Sequence, residues 1–293
     1  LGGLSDVTYS LPIVSGSNPN LAAEKSDSWT YGVVIQPRFV PGLNLSVDYY
    51  DIKVTGIIAS LTAQQIVNSC YDSPDLNNVF CQNFTRFRGP GTGPNGEIAG
   101  RILGNSLIAA PLNYASRERK GIDVNVAYRT NLGDKLALNT NLIYTHNLKI
   151  SNFQDPTNPT FENRVLSELG DPKNEFRWDV DLSTGPFTFG YRMRYIGPQY
   201  ISVYEDYFGI NGDETGGNLD FADRDTYPAV FYHDLRFEWD VNKEAGGPNL
   251  NFYVGVDNVL DRMPPLGSTA TGAGSAIYSF RGRNFYAGAR ARF

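Results

Sequence analysis

KNEFRWDVDLST-GP-FTFGYRMRY, running from Lys173 to Tyr195, is the stretch that decides the fold. Phe176, Trp178, Val180 and Leu182 alternate with Glu175, Arg177, Asp179 and Asp181, a period of two with formal charges on the second face. Gly185-Pro186 interrupts the pattern, which resumes with Phe187, Phe189, Tyr191, Met193 and Tyr195 against Thr188, Gly190, Arg192 and Arg194. Two alternating runs separated by two turn residues read as a tight β-hairpin.

The alternation recurs outward from this hairpin. Phe231, Leu235, Phe237 and Trp239 oppose Tyr232, Asp234, Arg236, Glu238 and Asp240, and Leu250, Phe252, Val254 and Val256 oppose Asn251, Tyr253, Gly255 and Asp257. Upstream, Ile122, Val124, Val126 and Tyr128 oppose Asp123, Asn125 and Arg129, and Leu136, Leu138, Leu142 and Tyr144 oppose Lys135, Asn139 and Asn141. Trp29, Tyr31, Val33 and Ile35 form one more apolar stripe, and Leu43, Leu45, Val47 and Tyr49 the next. The phase slips after Tyr50, where Ile52 and Val54 become the apolar set, so a bulge or a membrane boundary is expected there. The reading gives nine strands, the ninth from Gly282 to Phe293, and a tenth around Leu4 to Val14.

Such a chain is all-β, and two architectures compete for it. A soluble sandwich or lipocalin-like barrel also alternates apolar and polar faces. A transmembrane antiparallel up-and-down barrel fits better on three counts. Trp, Tyr and Phe gather near strand ends, as interfacial girdles do. The connections alternate in length, with short ones at Pro41-Gly42, Asn131 to Asp134, Gly185-Pro186 and Asn242 to Asn249, and long ones between them. Most polar faces carry two or more ions, which would cost several kcal/mol each in a dry core unless paired and nothing in a water-filled lumen. The lumen-facing set expected from parity is Glu175, Arg177, Asp179, Asp181, Arg192, Arg194, Asp234, Arg236, Glu238, Asp240, Arg290 and Arg292.

Composition agrees. Tyr 18, Phe 17 and Gly 30 against Met 2 favour sheets and turns in a chain of 293 residues. No run of a dozen apolar residues occurs, so no helical span is expected. A net charge of −6 without a Lys/Arg cluster argues against a nucleic-acid partner. The start, Leu1-Gly2-Gly3-Leu4, carries no initiator Met or signal core, so a fragment or a processed product is expected.

Several motifs together resemble those of the TonB-dependent receptors. They are Asn18-Pro19-Asn20-Leu21 with Glu24-Lys25-Ser26, Pro41-Gly42-Leu43, Val47-Asp48-Tyr49-Tyr50-Asp51-Ile52-Lys53, Asn258-Val259-Leu260-Asp261, and Gly282-Arg283-Asn284-Phe285 leading to Phe293. The resemblance covers nearly the whole chain. It implies the C-terminal part of a 22-stranded barrel, without the plug domain or TonB box, in the outer membrane of a Gram-negative bacterium. It further implies uptake of a scarce solute such as an iron chelate, a glycan or a cobalamin-like ligand, energised by TonB through the plug. The implied partners are the plug and N-terminal strands, outer-membrane lipid and lipopolysaccharide, and the barrel-assembly machinery, which would read the aromatic ending Phe285 and Phe293. A passive porin, or one structural wall of a larger membrane assembly, are the competing functions.

Local features add smaller expectations. Cys70 and Cys81 lie in a polar loop, and a disulfide is the reading preferred over two free thiols; no histidine stands near enough for zinc. Thr62 is placed to cap a short helix reaching Ser69. Asp206, Asp213 and Glu214 are a weak Ca²⁺ candidate, with a solvated acidic loop as the alternative, and no other metal or cofactor is expected. Arg117, Arg119 and Lys120 are rim charges that could face lipopolysaccharide phosphates or an anionic substrate. His146 has no recognisable serine beside it, so no enzymatic activity is expected.

Overall fold

The computed structural model describes residues 10–73, 75–155, 160–200, 227–241, 249–265 and 277–292. Its strands are β1 (Ile13–Ser15), β2 (Lys25–Ile35), β3 (Leu43–Ala59), β4 (Leu107–Ala109), β5 (Leu112–Leu132), β6 (Leu136–Phe153), β7 (Asn163–Arg164), β8 (Asn174–Thr184), β9 (Phe187–Ile196), β10 (Val230–Val241), β11 (Asn249–Asp257) and β12 (Asn284–Arg292), with one α-helix, α1 (Ala63–Asp72). The main sheet runs β2-β3-β5-β6-β8-β9-β10-β11-β12, with β7 added to β6. Each strand pairs with the next long strand in the chain, and the ladders from β6 to β12 are antiparallel. These nine strands are the nine expected from alternation. The expected tenth is different: β1 pairs in parallel with β4, in a separate two-stranded sheet, and residues 1–9 lie outside the described ones. β3 continues through the phase slip after Tyr50 as far as Ala59.

Turn chemistry closes the short connections. Gly185 takes a left-handed φ of 52° in the hairpin between β8 and β9, and Gly42 takes 88° where a Cβ would strike the carbonyl oxygen of Arg129. The motif at the end of β11 has a structural role: Asn258, with φ 53°, accepts from Arg262 N at 2.7 Å and donates through Nδ2 to Arg262 O at 2.9 Å. Asp261 then accepts from Arg283 N at 2.7 Å, tying the exit of β11 to the entry of β12.

By its contacts the chain divides into two compact units, one around Lys53–Arg117, the other containing Glu118–Ser151 and Arg164–Phe293. In the first, Leu61, Ile66, Cys70, Phe80, Ile102, Leu107 and Leu112 form a buried core. Thr62 caps α1 through a reciprocal pair with Gln65, its Oγ1 accepting from Gln65 N at 3.2 Å and its own N donating to Gln65 Oε1 at 2.9 Å. Cys70 and Cys81 are joined in a disulfide. The NPNL turn also lies here: Asn18 Nδ2 donates to Pro111 O at 3.0 Å, and Glu24 accepts from Ile58 N at 2.9 Å.

In the second unit, cross-strand register keeps one face apolar. Leu182 pairs with Phe189 and Phe189 with Phe237, while Phe237 pairs with Val254 and Val254 with Ala287. Aromatic rings collect at both ends of this face. Phe187, Phe237, Trp239 and Phe252 stack with centroids 5.7–6.4 Å apart at one end, and Phe176, Tyr195 and Phe231 approach to 4.9–5.0 Å at the other. Eight residues separate the two ends along β9, roughly 26 Å at about 3.3 Å per residue. Phe189, Val254 and Phe285 are more than half exposed, so nothing among the described residues covers the face as a second sheet of a sandwich would.

Candidate functional site on the polar face

The opposite face is built from the residues between the apolar ones, and the same register places them in rungs. One rung reads Asn141, Asp179, Arg192 and Asp234 across β6, β8, β9 and β10. The next reads Asn139, Asp181, Gly190, Arg236, Gly255 and Tyr286 from β6 to β12. On the other side of the first rung, Arg177 lies directly opposite Arg194, which pairs in turn with Tyr232.

Opposite charges meet across these rungs. Asp179 accepts from Arg177 Nε and from Arg192 Nε, each at 2.6 Å. Arg236 Nη2 donates to Asp181 Oδ1 at 3.1 Å, and its Nε lies 3.1 Å from Glu238 Oε1 as an ion-pair contact without hydrogen-bond alignment. Asn251 donates to Asp240 at 2.9 Å, and Asp234 accepts from Asn258 N at 2.8 Å. These side chains are partly exposed, so each pair contributes at most about 1 kcal/mol after solvent screening. Their value lies in fixing orientation.

Glycines in mid-strand make the face passable. Tyr286 lies across Gly255 and Tyr253 across Gly288, each ring occupying the space a Cβ would need, with the two rings 6.3 Å apart. Tyr50 lies across Gly121 in the same way and donates to Asn147 Oδ1 at 2.9 Å.

Of the expected site residues, Arg177, Asp179, Asp181, Arg192, Asp234, Arg236 and Glu238 are brought onto adjoining rungs, with Glu175 one rung beyond Arg177. Asp240 and Arg290 lie farther along, each facing Asn251. Phe285 is on the apolar face, opposite Val256. The side chain of Arg292, Phe293 and the acidic trio Asp206, Asp213 and Glu214 lie outside the described residues.

The rim cations are matched within the protein: Arg117 donates to Asn152 at 2.9 Å, Arg119 pairs with Asp171 at 3.1 Å and Lys120 with Asp51 at 2.7 Å. His146 Nδ1 lies 2.7 Å from Asn174 Oδ1, and His233 Nδ1 2.7 Å from the hydroxyl of Tyr191. Among the described residues neither histidine bonds a serine. The alternation did not foretell the role of Gly190, Gly255 and Gly288; isolated glycines on the polar face of a strand were the available signal.

A cavity of about 440 Å³ opens on this face, lined by Thr145, Glu175, Arg177, Arg194, Gly170 and Ile277 among others. Behind it sits a small core of Ile196, Val230, Tyr232 and Tyr278. Tyr278 accepts from Gln199 Nε2 at 2.8 Å, and burial pushes its hydroxyl up to about 12, so it stays protonated.

Comparison with known families matches residues 3–259 to the one described as TonB dependent receptor-like, beta-barrel. No curated protein matches the chain. Among solved structures, it is similar to the ferric enterobactin receptor PfeA of Pseudomonas aeruginosa in complex with enterobactin, at 20% identity and a TM-score of 0.54, over 94% of this chain and 32% of that one. The siderophore receptor PirA of Acinetobacter baumannii is similar at 15% identity and a TM-score of 0.53, over 94% of this chain and 32% of that one. At such identities the likeness is one of fold. The chain spans 32% of the length of these structures.

Proposed function

The chain belongs to the TonB-dependent receptor β-barrel family, a family of transport receptors, and from that premise we propose that it walls part of an outer-membrane barrel that takes up a scarce solute with energy delivered through TonB. The observation that carries this reading is the pair of unlike faces on one sheet. The polar face holds rungs of charge that water stabilises, and the apolar face leaves aromatic and aliphatic side chains uncovered, which a bilayer would satisfy. β8 to β12 are 9–12 residues long, matching the span of about 9–11 residues that a tilted strand needs.

In this reading the charged residues from Glu175 to Arg290 line a wet lumen, and the apolar face meets outer-membrane lipid and lipopolysaccharide. The edge strands β2 and β12 pair with the remaining barrel strands. A plug fills the lumen and engages TonB, and the barrel-assembly machinery reads β12 and the residue after it through Phe285 and Phe293. An iron chelate leads the candidate solutes, ahead of a glycan or a cobalamin-like ligand, because the two similar structures are named for ferric enterobactin and siderophores. Uptake of a radiolabelled ferric chelate by cells carrying the intact gene tests the reading. Uptake that stops when the proton-motive force is collapsed supports it. A steady passive conductance in planar bilayers, with uptake indifferent to the uncoupler, would mean a porin instead.

A further inference from the structure

We propose that Arg177 and Arg194 form a clamp for an oxyanion, and that the solute presents a carboxylate or phosphate group to it; this rests on the transport reading above and names the chemistry that its lumen selects. The two residues are direct partners in the ladder between β8 and β9. Directly opposed residues have Cβ atoms about 4.5–5.5 Å apart, and like charges at that spacing repel unless an anion lies between them.

Carboxylates are unevenly spread among the arginines of this face. Arg236 has Asp181 and Glu238, and Arg192 has Asp179. Arg177 must share that same Asp179, which it contacts through Nε alone. Arg194 makes no ion pair among the described residues. Its guanidinium stands 4.8 Å from the ring of Tyr232, a buried side chain whose hydroxyl accepts from Ser279 N at 3.0 Å. Stacking of this kind fixes the guanidinium plane while leaving its N–H edge free to donate. Arg177 and Arg192 thus share one carboxylate, and Arg177 and Arg194 border the 440 Å³ cavity.

Glu175 lines the same cavity and limits what fits. A polyanion would meet its carboxylate, whereas a single oxyanion carried next to a hydroxyl or amine places its anion on the arginines and its donor toward Glu175. Guanidinium forks bind carboxylate and phosphate in the same bidentate geometry, so both groups qualify.

The test uses the receptor extracted in detergent from outer membranes of cells that make it, folded as judged by its heat-modifiable gel mobility. Equilibrium dialysis with radiolabelled inorganic phosphate and, separately, radiolabelled glycolate is expected to give saturable binding of at least one, and the tighter of the two identifies the group. Arg194→Gln should weaken that binding about tenfold to a hundredfold. Arg194→Lys, which keeps the charge and loses the fork, should fall between, and it serves as the deciding variant if the glutamine form does not fold. Arg38→Gln, at an exposed position in the turn between β2 and β3, should bind as the wild type does. Saturation by neither probe, or equal binding in every variant, overturns the clamp. Energised uptake that persists in that case would leave the transport reading standing, while loss of energy dependence in the wild type would count against transport alone.

Discussion

Asp181 and Arg236 belong to strands that are not neighbours, yet Arg236 Nη2 reaches Asp181 Oδ1 at 3.1 Å by passing over Gly190 of the strand between them. A Cβ at position 190 would lie 3.1 Å from both Asp181 Oδ1 and Arg236 Nε, tighter than ordinary van der Waals contact. The missing side chain is therefore what lets charges couple two strands apart. Strand pairing alone links only adjacent strands, so such a bridge stiffens the sheet across its ladders.

Gly190→Val is expected to break this bridge. Unfolding in urea should show a loss of about 1 kcal/mol, part of it from the ion pair. In the background of Asp181→Asn, where the pair no longer exists, the same change should cost measurably less. Identical costs in both backgrounds would show that Asp181 and Arg236 are not coupled through position 190.

Removing the disulfide should act locally. Replacing Cys70 and Cys81 together by serine frees a loop with a separation of 11 residues, worth on the order of 3 kcal/mol in the chain-entropy picture. Tryptic cleavage after Arg86, Arg88 and Arg101 should accelerate, while the unfolding of the barrel strands keeps its midpoint. Unchanged cleavage rates would mean that the core of Ile66, Phe80 and Ile102 holds this unit without the bridge.

Glu97 gives the same unit an acid limit. Its carboxylate is buried and accepts from Gly104 N at 2.9 Å, from Asn95 Nδ2 at 3.0 Å and from Asn95 N at 2.8 Å. The Gly104 amide above all, then Asn95, lowers its pKa to about 2 against burial, which opposes them. A depressed pKa stabilises the fold above the unfolded value of about 4.3 and loses that contribution as pH falls toward 2. Hydrogen exchange at the Gly104 amide, corrected for intrinsic rate, should accelerate between about pH 4 and pH 2. In Glu97→Gln, whose amide oxygen still accepts but does not titrate, that acceleration should be absent; a wild-type profile in the variant would discount the carboxylate.

Legibility divides along the same line as the physics. β10 was readable to its ends, because Phe231, Leu235, Phe237 and Trp239 and the charges between them meet unlike surroundings, and every second side chain is constrained. β5 and β6 run beyond their alternating parts to Leu112 and Phe153, because there side chains pack into local cores, Leu112 with Ile66 and Phe80 and Ile150 with Val165 and Leu166, and a local core imposes no two-residue period. Between strands no period operates. The core of Leu61, Ile66, Phe80, Ile102 and Leu107 is assembled by the chain's path, as is the parallel pairing of Ile13 with Leu107. Thr62 and the cysteine pair were exceptions, because capping and disulfide chemistry are local and leave a local signature. On the polar face the residue set was legible from parity. The partners were not, since register decides that Arg177 faces Arg194 and that Arg192 faces Asp179.

The central claim is that the two faces of this sheet meet lipid and water, and spin labels measure that directly. Labels placed one at a time at positions 178 to 182 on β8 and 188 to 192 on β9, in receptor reconstituted into bilayers, report collision with oxygen and with a water-soluble nickel complex. Oxygen should dominate at Trp178, Val180, Leu182, Phe189 and Tyr191, and the nickel complex at Asp179, Asp181, Thr188, Gly190 and Arg192. Equal access of both reagents along each strand, without a two-residue period, would contradict the account.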